Sequence, residues 1–486
     1  MIMSKRINSS SEAVLQTNKL YQTLCCLDGA EIKRLTKYLV SPYFNQSKTL
    51  AKLCNLLLEC CERKEPGFDR FEIWGRLFPE KPYDDVNFRK YSSDLLKLIQ
   101  DFMAQETIMY DTVRRSIDAL DFAVRRKIEP VFTGMMRQVR AGLENNQYRS
   151  LEYFRNAYAA ERLYYAMMDF DVKLNVRANI EEISYNLDVF YWIEKLKLYS
   201  SVLSQKRTGN FEYKLNFTDD VLAYLKIFPI DRVPELAIYF YSFLTLYEEE
   251  KNDHYFNLRS LLDRLGQLMP QKEAVELYDS ALHYCIGKLN KGSKEFLQEY
   301  FDLFEDGLYK KIFIVNEELA TWRYNNAVGV ALQLGKLDWA ETFIENYRKY
   351  LPADTQQNTY TFNLARVYRY QNKYDKVLFL LRDVEYEDIG YNLISKAILI
   401  ITYYELDEHD ALDPFMESFR VFLNRHKTIP NQRRQGYLNL IKYVRRLTRV
   451  STNDKASLEK LKQDVLKNRA KTVNHEWLLE KISELE

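Results

Sequence analysis

An all-helical chain is predicted by three observations: scarce turn residues, long runs with apolar side chains at helical spacing, and a two-helix period in the carboxyl-terminal third. Gly is 14 and Pro 11 of 486 residues, each under half of its usual share of about 7% and about 5%. So few turn formers argue against a Gly-rich nucleotide fold or a many-stranded sandwich. At 47% hydrophobic and 29% charged, the chain is long enough to bury a large core or several joined ones. No run approaches the roughly 18 apolar residues of a membrane span, and the start, "MIMSKRINSSSEAVLQTNKL", lacks a secretory apolar core. A cytoplasmic location without integral membrane contact is the expectation.

The order of units follows from corners and composition. Residues 1–19 read as a flexible start and 20–110 as an amino-terminal helical cluster. Within it "YLVSPYFNQSK" separates a stripe of Ile32, Leu35 and Leu39 from a broader one of Leu50, Leu53, Cys54, Leu57, Leu58 and Cys61. Pro42 biases Ser41 away from helical dihedrals, while Asn45 or Ser47 offers an acceptor to the next helix. That makes the stretch a helix-helix corner with Tyr43 and Phe44 free to pack across it. The competing reading gives those rings a binding role. "LFPEKPYDD" makes a second corner before the stripe of Leu95, Ile99, Phe102 and Met103.

Residues 111–216 form a middle helical region rich in aromatics, with Tyr185, Phe190, Tyr191, Trp192 and Tyr199 close together. Rings of this kind fill seams between helices, and the alternative is a stacking platform for single-stranded nucleic acid. Residues 217–320 hold irregular helix pairs: "VPELAIYFYSFLTLYEEE" with "FNLRSLLDRLGQL", then "KEAVELYDSALHYCIGKL" with "SKEFLQEYFDLFEDGL".

The clearest organisation lies in 321–427. "LGKLDWAETFI" from 334, "YQNKYDKVLFL" from 370 and "ELDEHDALDPF" from 405 align at offsets of 36 and 35 residues. Each joins a polar reverse point to an amphipathic helix, so the period describes a two-helix module. Ala340, Phe343, Ile344 and Tyr347 make one stripe, and Val377, Leu380, Leu381 and Val384 the next. Tyr360, Leu364, Val367 and Tyr368 line a partner helix.

On these residues the segment resembles the tetratricopeptide-repeat family. The first unit carries Tyr324, Ala327, Ala331, Ala340, Ile344 and Pro352; the second keeps Tyr360, Leu364, Val367 and Leu380 but has Lys376 where a small residue is expected; the third has Ala411 and Phe415. The resemblance implies antiparallel helix pairs stacked into a right-handed superhelix with a curved protein-binding surface. Residues 428–486 then read as a basic helical cap.

Charge gives two candidate surfaces that the overall +1 conceals. Residues 425–472 hold 14 Lys or Arg against 3 Asp or Glu. Arg433, Arg434, Lys442, Arg445, Arg446 and Arg449 form the stripe, suited to nucleic-acid phosphates, an acidic protein or an anionic membrane surface. The bland alternative is a solvated end-cap. An acidic set, Asp383, Glu385, Glu387, Asp388, Glu405, Asp407, Glu408 and Asp410, gathers near module corners. It suits a basic partner or the basic stripe of a second copy, which would give self-association.

Catalytic patterns are absent from the linear sequence. His283 and Cys285 are two apart on a helical run and do not face one another, with no orienting carboxylate nearby. No phosphate-cradling Gly loop and no paired Cys motif for zinc occurs. The six Cys have no regular spacing and read as reduced, mostly packed thiols. The expectation is a non-catalytic adaptor for an unidentified protein, without cofactor or metal. Nonspecific nucleic-acid binding is the alternative, and an enzyme with a nonlocal site a minor one.

Overall fold

The computed structural model describes residues 19–486 except 64, 66, 146, 170–176, 209–211, 215, 383–388 and 451–453. The described residues are all-helical, apart from one two-stranded antiparallel ribbon pairing Ile314 with Leu319 and Val315 with Glu318. No described helix is long and apolar enough to cross a membrane. Contacts divide the chain into two units, residues 1–147 with 152–188, and 148–151 with 189–486. The division falls inside the middle region expected at 111–216.

In the first unit, α1 (Lys19–Cys25), α2 (Gly29–Val40), α3 (Lys48–Glu62), α4 (Arg70–Leu77) and α5 (Asp85–Tyr110) enclose one core. Asp28 starts α2 with a full capping box, accepting from the Ala30 and Glu31 amides while Glu31 reaches back to the Asp28 amide. Asn45 makes the first corner: its Nδ2 donates to the Leu39 and Ser47 carbonyls at 2.8 and 3.0 Å, and its Oδ1 accepts from the Ser47 amide at 2.9 Å. Phe44 stacks on Tyr38 with centroids 4.3 Å apart, whereas Tyr43 stays 87% exposed. The second corner closes on Trp74, whose indole donates to the Lys81 and Pro82 carbonyls. A neighbouring core joins α6 (Thr112–Arg125), α7 (Glu129–Glu144) and α8 (Leu151–Met168) through Leu120, Phe132, Val139 and Ala160.

The cysteine expectation needs correction. Cys25 at the end of α1 and Cys61 near the end of α3 are joined as a disulfide, with Cα atoms 5.5 Å apart. The intervening α2 carries the chain back, so that the carboxyl-terminal ends of α1 and α3 meet, a juxtaposition which a separation of 36 residues does not announce. Cys26, Cys54, Cys60 and Cys285 remain free, the last three buried.

In the second unit, α9 (Ile180–Thr208, which begins in the first unit) buries Val189, Ile193, Leu196 and Tyr199. Aliphatic residues thus fill most of that seam. Tyr185 and Tyr191 are each 40% exposed, and Trp192 stacks on Tyr224 of α10 (Thr218–Ile227). Antiparallel pairs follow: α11 (Pro234–Tyr247) with α12 (Asn252–Leu265), α13 (Gln271–Asn290) with α14 (Phe296–Tyr309), α15 (Thr321–Gln333) with α16 (Leu337–Tyr347), and α17 (Gln356–Tyr370) with α18 (Tyr374–Leu381). Then come α19 (Ile389–Glu405) with α20 (His409–Arg425), α21 (Asn431–Leu447), α22 (Lys455–Lys467) and α23 (His475–Leu485).

The three matched corners share one backbone device. Gly335, Asn372 and Asp407 adopt left-handed φ of 73°, 56° and 55°. The next amide, from Lys336, Lys373 or Glu408, donates at 2.9 Å to the carbonyl five residues back, on Ala331, Tyr368 or Tyr403. Gly, Asn and Asp are the residues that tolerate this conformation, and the bond satisfies a carbonyl left open at the helix end. Each following helix starts two residues after the left-handed one. Counting from that residue places Ala340, Val377 and Leu412 in equivalent, nearly inaccessible positions, followed by Ile344, Leu381 and Met416. The structural register therefore runs one residue beyond Lys376 and Ala411. Lys376 is exposed, and Ala411, Phe415 and Leu380 are half-buried.

Candidate interaction surface

Alternate helices of the second unit pack on their next-but-one neighbours: α11 on α13, α15 on α17, α17 on α19, α19 on α21, and α21 on α23. Side chains complete the row between α13 and α15. Arg323 donates through Nε and Nη2 to the two Asp279 oxygens at 2.7 and 2.5 Å, and Trp322 stacks on His283 at 4.9 Å. One face of every module is thereby aligned along a single layer.

Polar side chains gather where α15, α17 and α19 meet. Asn363 Nδ2 donates to the Asn325 Oδ1 and, at 2.8 Å, to the Thr359 carbonyl. Asn325 donates to the Tyr391 hydroxyl. Arg366 Nη1 donates to the Asn325 carbonyl at 2.9 Å and to Asn363 Oδ1 at 3.0 Å. A Cβ on Gly329 would lie 2.4 Å from Arg366 Nη2, so the bare glycine makes room for the guanidinium. Burial pushes Arg366 down to about 10 and lowers Arg369 as well.

The basic stripe is largely engaged within the fold. Arg445 pairs with Glu417 at 2.9 Å, and Arg446 with Asp464 at 2.5 Å. Arg420 and Arg445 hold the Glu417 carboxyl down at about 2, and Arg446 lowers Asp464. Arg434 donates to the His426, Lys427 and Ile429 carbonyls, closing the turn after α20. Arg433, Lys442 and Arg449 remain exposed, and none of them has an ion-pair partner among the described residues.

The acidic set is not gathered into one rim by the described residues. Asp383, Glu385, Glu387 and Asp388 lie outside them. Glu405 is covered by α23, bound to Lys481 at 3.0 Å and to the Trp477 indole at 2.6 Å. Asp407, Glu408 and Asp410 are exposed at the α19–α20 corner.

His283 and Cys285 diverge, as their spacing predicts. His283 is exposed on Trp322, while the Cys285 thiol is buried and pushed up to about 12. Two surface hollows, one beside Asp231, Tyr241 and Arg264 and one beside Gln271, Lys310 and Lys311, contain neither His nor Cys. No group of three or more His, Cys, Asp or Glu among the described residues is placed to hold a metal ion.

Sequence reasoning missed the Asn325, Asn363 and Arg366 group because the apolar stripe of α17 dominates its pattern. The available signal was Asn363, Arg366 and Tyr370 at helical spacing in a segment, 356–370, that contains two Arg and no acidic residue. No protein-family model matches the chain, and no curated protein or solved structure matches it.

Proposed function

We propose that the chain is a non-catalytic scaffold that binds another protein along the row of alternate helices in its second unit. The observation that carries this reading is the continuity of that row, in which α15, α17 and α19 place polar side chains, buried at Asn325 and Asn363 and half-buried at Arg366 and Tyr391, on adjoining faces. Helix-pair arrays suit such a role because each module adds one stripe to an extended surface while its apolar side is consumed by its neighbours. The resemblance of 321–427 to tetratricopeptide pairs belongs to this reading.

Site-specific photocrosslinking tests it. A photoreactive residue replacing Tyr370, on the row and 45% exposed, is expected to capture a discrete partner in cells. The same residue replacing Asn346 on α16, outside the row and exposed, is expected to capture none. Capture from Asn346 and not from Tyr370 would move the binding face elsewhere and refute the proposal.

A further inference from the structure

Among the described residues, two arginines on one face of α17 lack the anion that other cations withdrawn from solvent along the row possess. Arg323 on α15 is answered by Asp279 in a two-point contact, and Lys481 on α23 by Glu405 and Glu484. Arg366 and Arg369, one helical turn apart and both half-buried, have no carboxylate within ion-pair distance among the described residues. Arg366 is held by neutral groups alone, through Nη1, and its guanidinium lies 5.5 Å over the Phe362 ring. The Arg369 guanidinium lies over the Tyr370 ring at 5.9 Å. Glu405, the acid that faces this end of α17, is already bound to Lys481 and Trp477. Removing a guanidinium from water without a counter-charge is costly, and the cost rises when two like charges share one helix face. Burial accordingly lowers both groups from the ordinary arginine range.

We infer that Arg366 and Arg369 are the anion-reading centre of the row and that the segment docked there is an acidic peptide of a partner protein. The inference rests on the scaffold reading and names the partner's chemistry. Arg366 is held in one orientation before any anion arrives. Asn325 and Asn363 fix one edge of its guanidinium and Gly329 gives it space, so little side-chain freedom is lost when the anion arrives. The depth of the pair favours a Glu or Asp side chain over a nucleic-acid backbone. A carboxylate on a flexible side chain can approach a recessed guanidinium, whereas a duplex phosphate is held on a wide, stiff cylinder. Exposed Tyr370 beside the pair offers a ring against which the peptide can lie.

The test is fluorescence polarisation of the full-length protein with labelled octaglutamate, against octaglutamine as the uncharged control. Binding of octaglutamate alone is expected, weakened about tenfold or more by Arg369→Gln, which leaves the Asn325 and Asn363 contacts in place. Arg366→Gln is expected to weaken it similarly, with circular dichroism and melting reporting any loss of those contacts. Lys442→Gln with Arg449→Gln should leave binding within about twofold, since those cations lie on α21 and the turn after it. Equal binding by wild type and Arg369→Gln, or no octaglutamate binding at low salt, overturns the proposal. So does a rise in melting temperature with inorganic phosphate, or Arg369-dependent binding of a DNA duplex, when octaglutamate is silent. If Tyr370 still crosslinks a partner while octaglutamate fails, the scaffold reading stands and the acidic partner falls.

Discussion

Replacing Asp279 with Asn tests the junction on which the row depends. The substitution preserves shape but removes the charge opposite Arg323 and turns an amide toward its donors. Arg323 is 8% and Asp279 20% exposed, and the contact is two-pointed at 2.7 and 2.5 Å. These values put the pair with buried bridges, where loss of one partner costs about 3–5 kcal/mol, rather than with surface pairs worth under about 1 kcal/mol. The Phe313 and Trp322 rings, 5.3 and 5.0 Å from the guanidinium, soften the loss through their π faces. About 3 kcal/mol is therefore expected. For a unit of this size that corresponds to a fall of roughly 5 °C in the melting temperature of the second unit. Differential scanning calorimetry on wild type and Asp279→Asn measures it. The double variant with Arg323→Met should recover most of the loss, because it removes the stranded charge as well. A fall below about 1 °C in the single variant, or no recovery in the double, would refute the assignment of Arg323 as a buried, charge-compensated anchor.

Gly307→Ala should destabilise the second unit by about 1–3 kcal/mol, since its Cβ would meet the fully buried Phe313 ring at 2.2 Å; thermal melting checks it. Lys251 and His254 hold the Glu248 carboxyl down at about 2 from an ordinary value of 4.5. Its folded value is depressed, so the stability it supplies is complete above the unfolded value and lost as pH falls from about 4.5 toward about 2. Glu248→Gln is expected to flatten acid unfolding in that window and leave the shape of the profile unchanged above about pH 6. Reducing the Cys25–Cys61 bond, which closes a separation of 36 residues, should cost about 3–4 kcal/mol in the first unit on the chain-entropy account. Melting with and without dithiothreitol, with Cys25→Ser as the control, reports it. Finally, duplex DNA contacted through only Arg433, Lys442 and Arg449, the three cations of the stripe that are exposed and without an ion pair among the described residues, should show a log-log salt slope of about −3, against about −5 if all six residues of the stripe bound phosphate.

The helical class and the module corners were legible because their causes are local. A residue that tolerates the left-handed conformation must end each first helix, and Gly335, Asn372 and Asp407 are types that can do so. The register was less legible because a match by letter rewards Ala411 for resembling Ala340. Burial instead depends on distance from the corner, which selects Leu412. Pairing was illegible for the same reason in reverse. Glu417 lies 28 residues before Arg445, and Asp464 lies 18 after Arg446. The excess of cations in 425–472 therefore included side chains whose partners sit outside the segment or on the facing helix.

The polar row follows a different logic from the core beneath it. Apolar stripes such as Ala340 with Ile344 and Val377 with Leu381 are interchangeable in kind, because burial asks only for shape and hydrophobicity. Asn325 and Asn363 are not: each must find its donors and acceptors in one arrangement of α15, α17 and α19, and a slipped register would strand them. The same bonds that fix the order of the helices therefore also aim Arg366. Fold specificity and partner recognition then share residues on this face. Substitutions at Asn325 or Asn363 should damage both together, whereas Arg369, which lies outside that hydrogen-bonded group, should separate them.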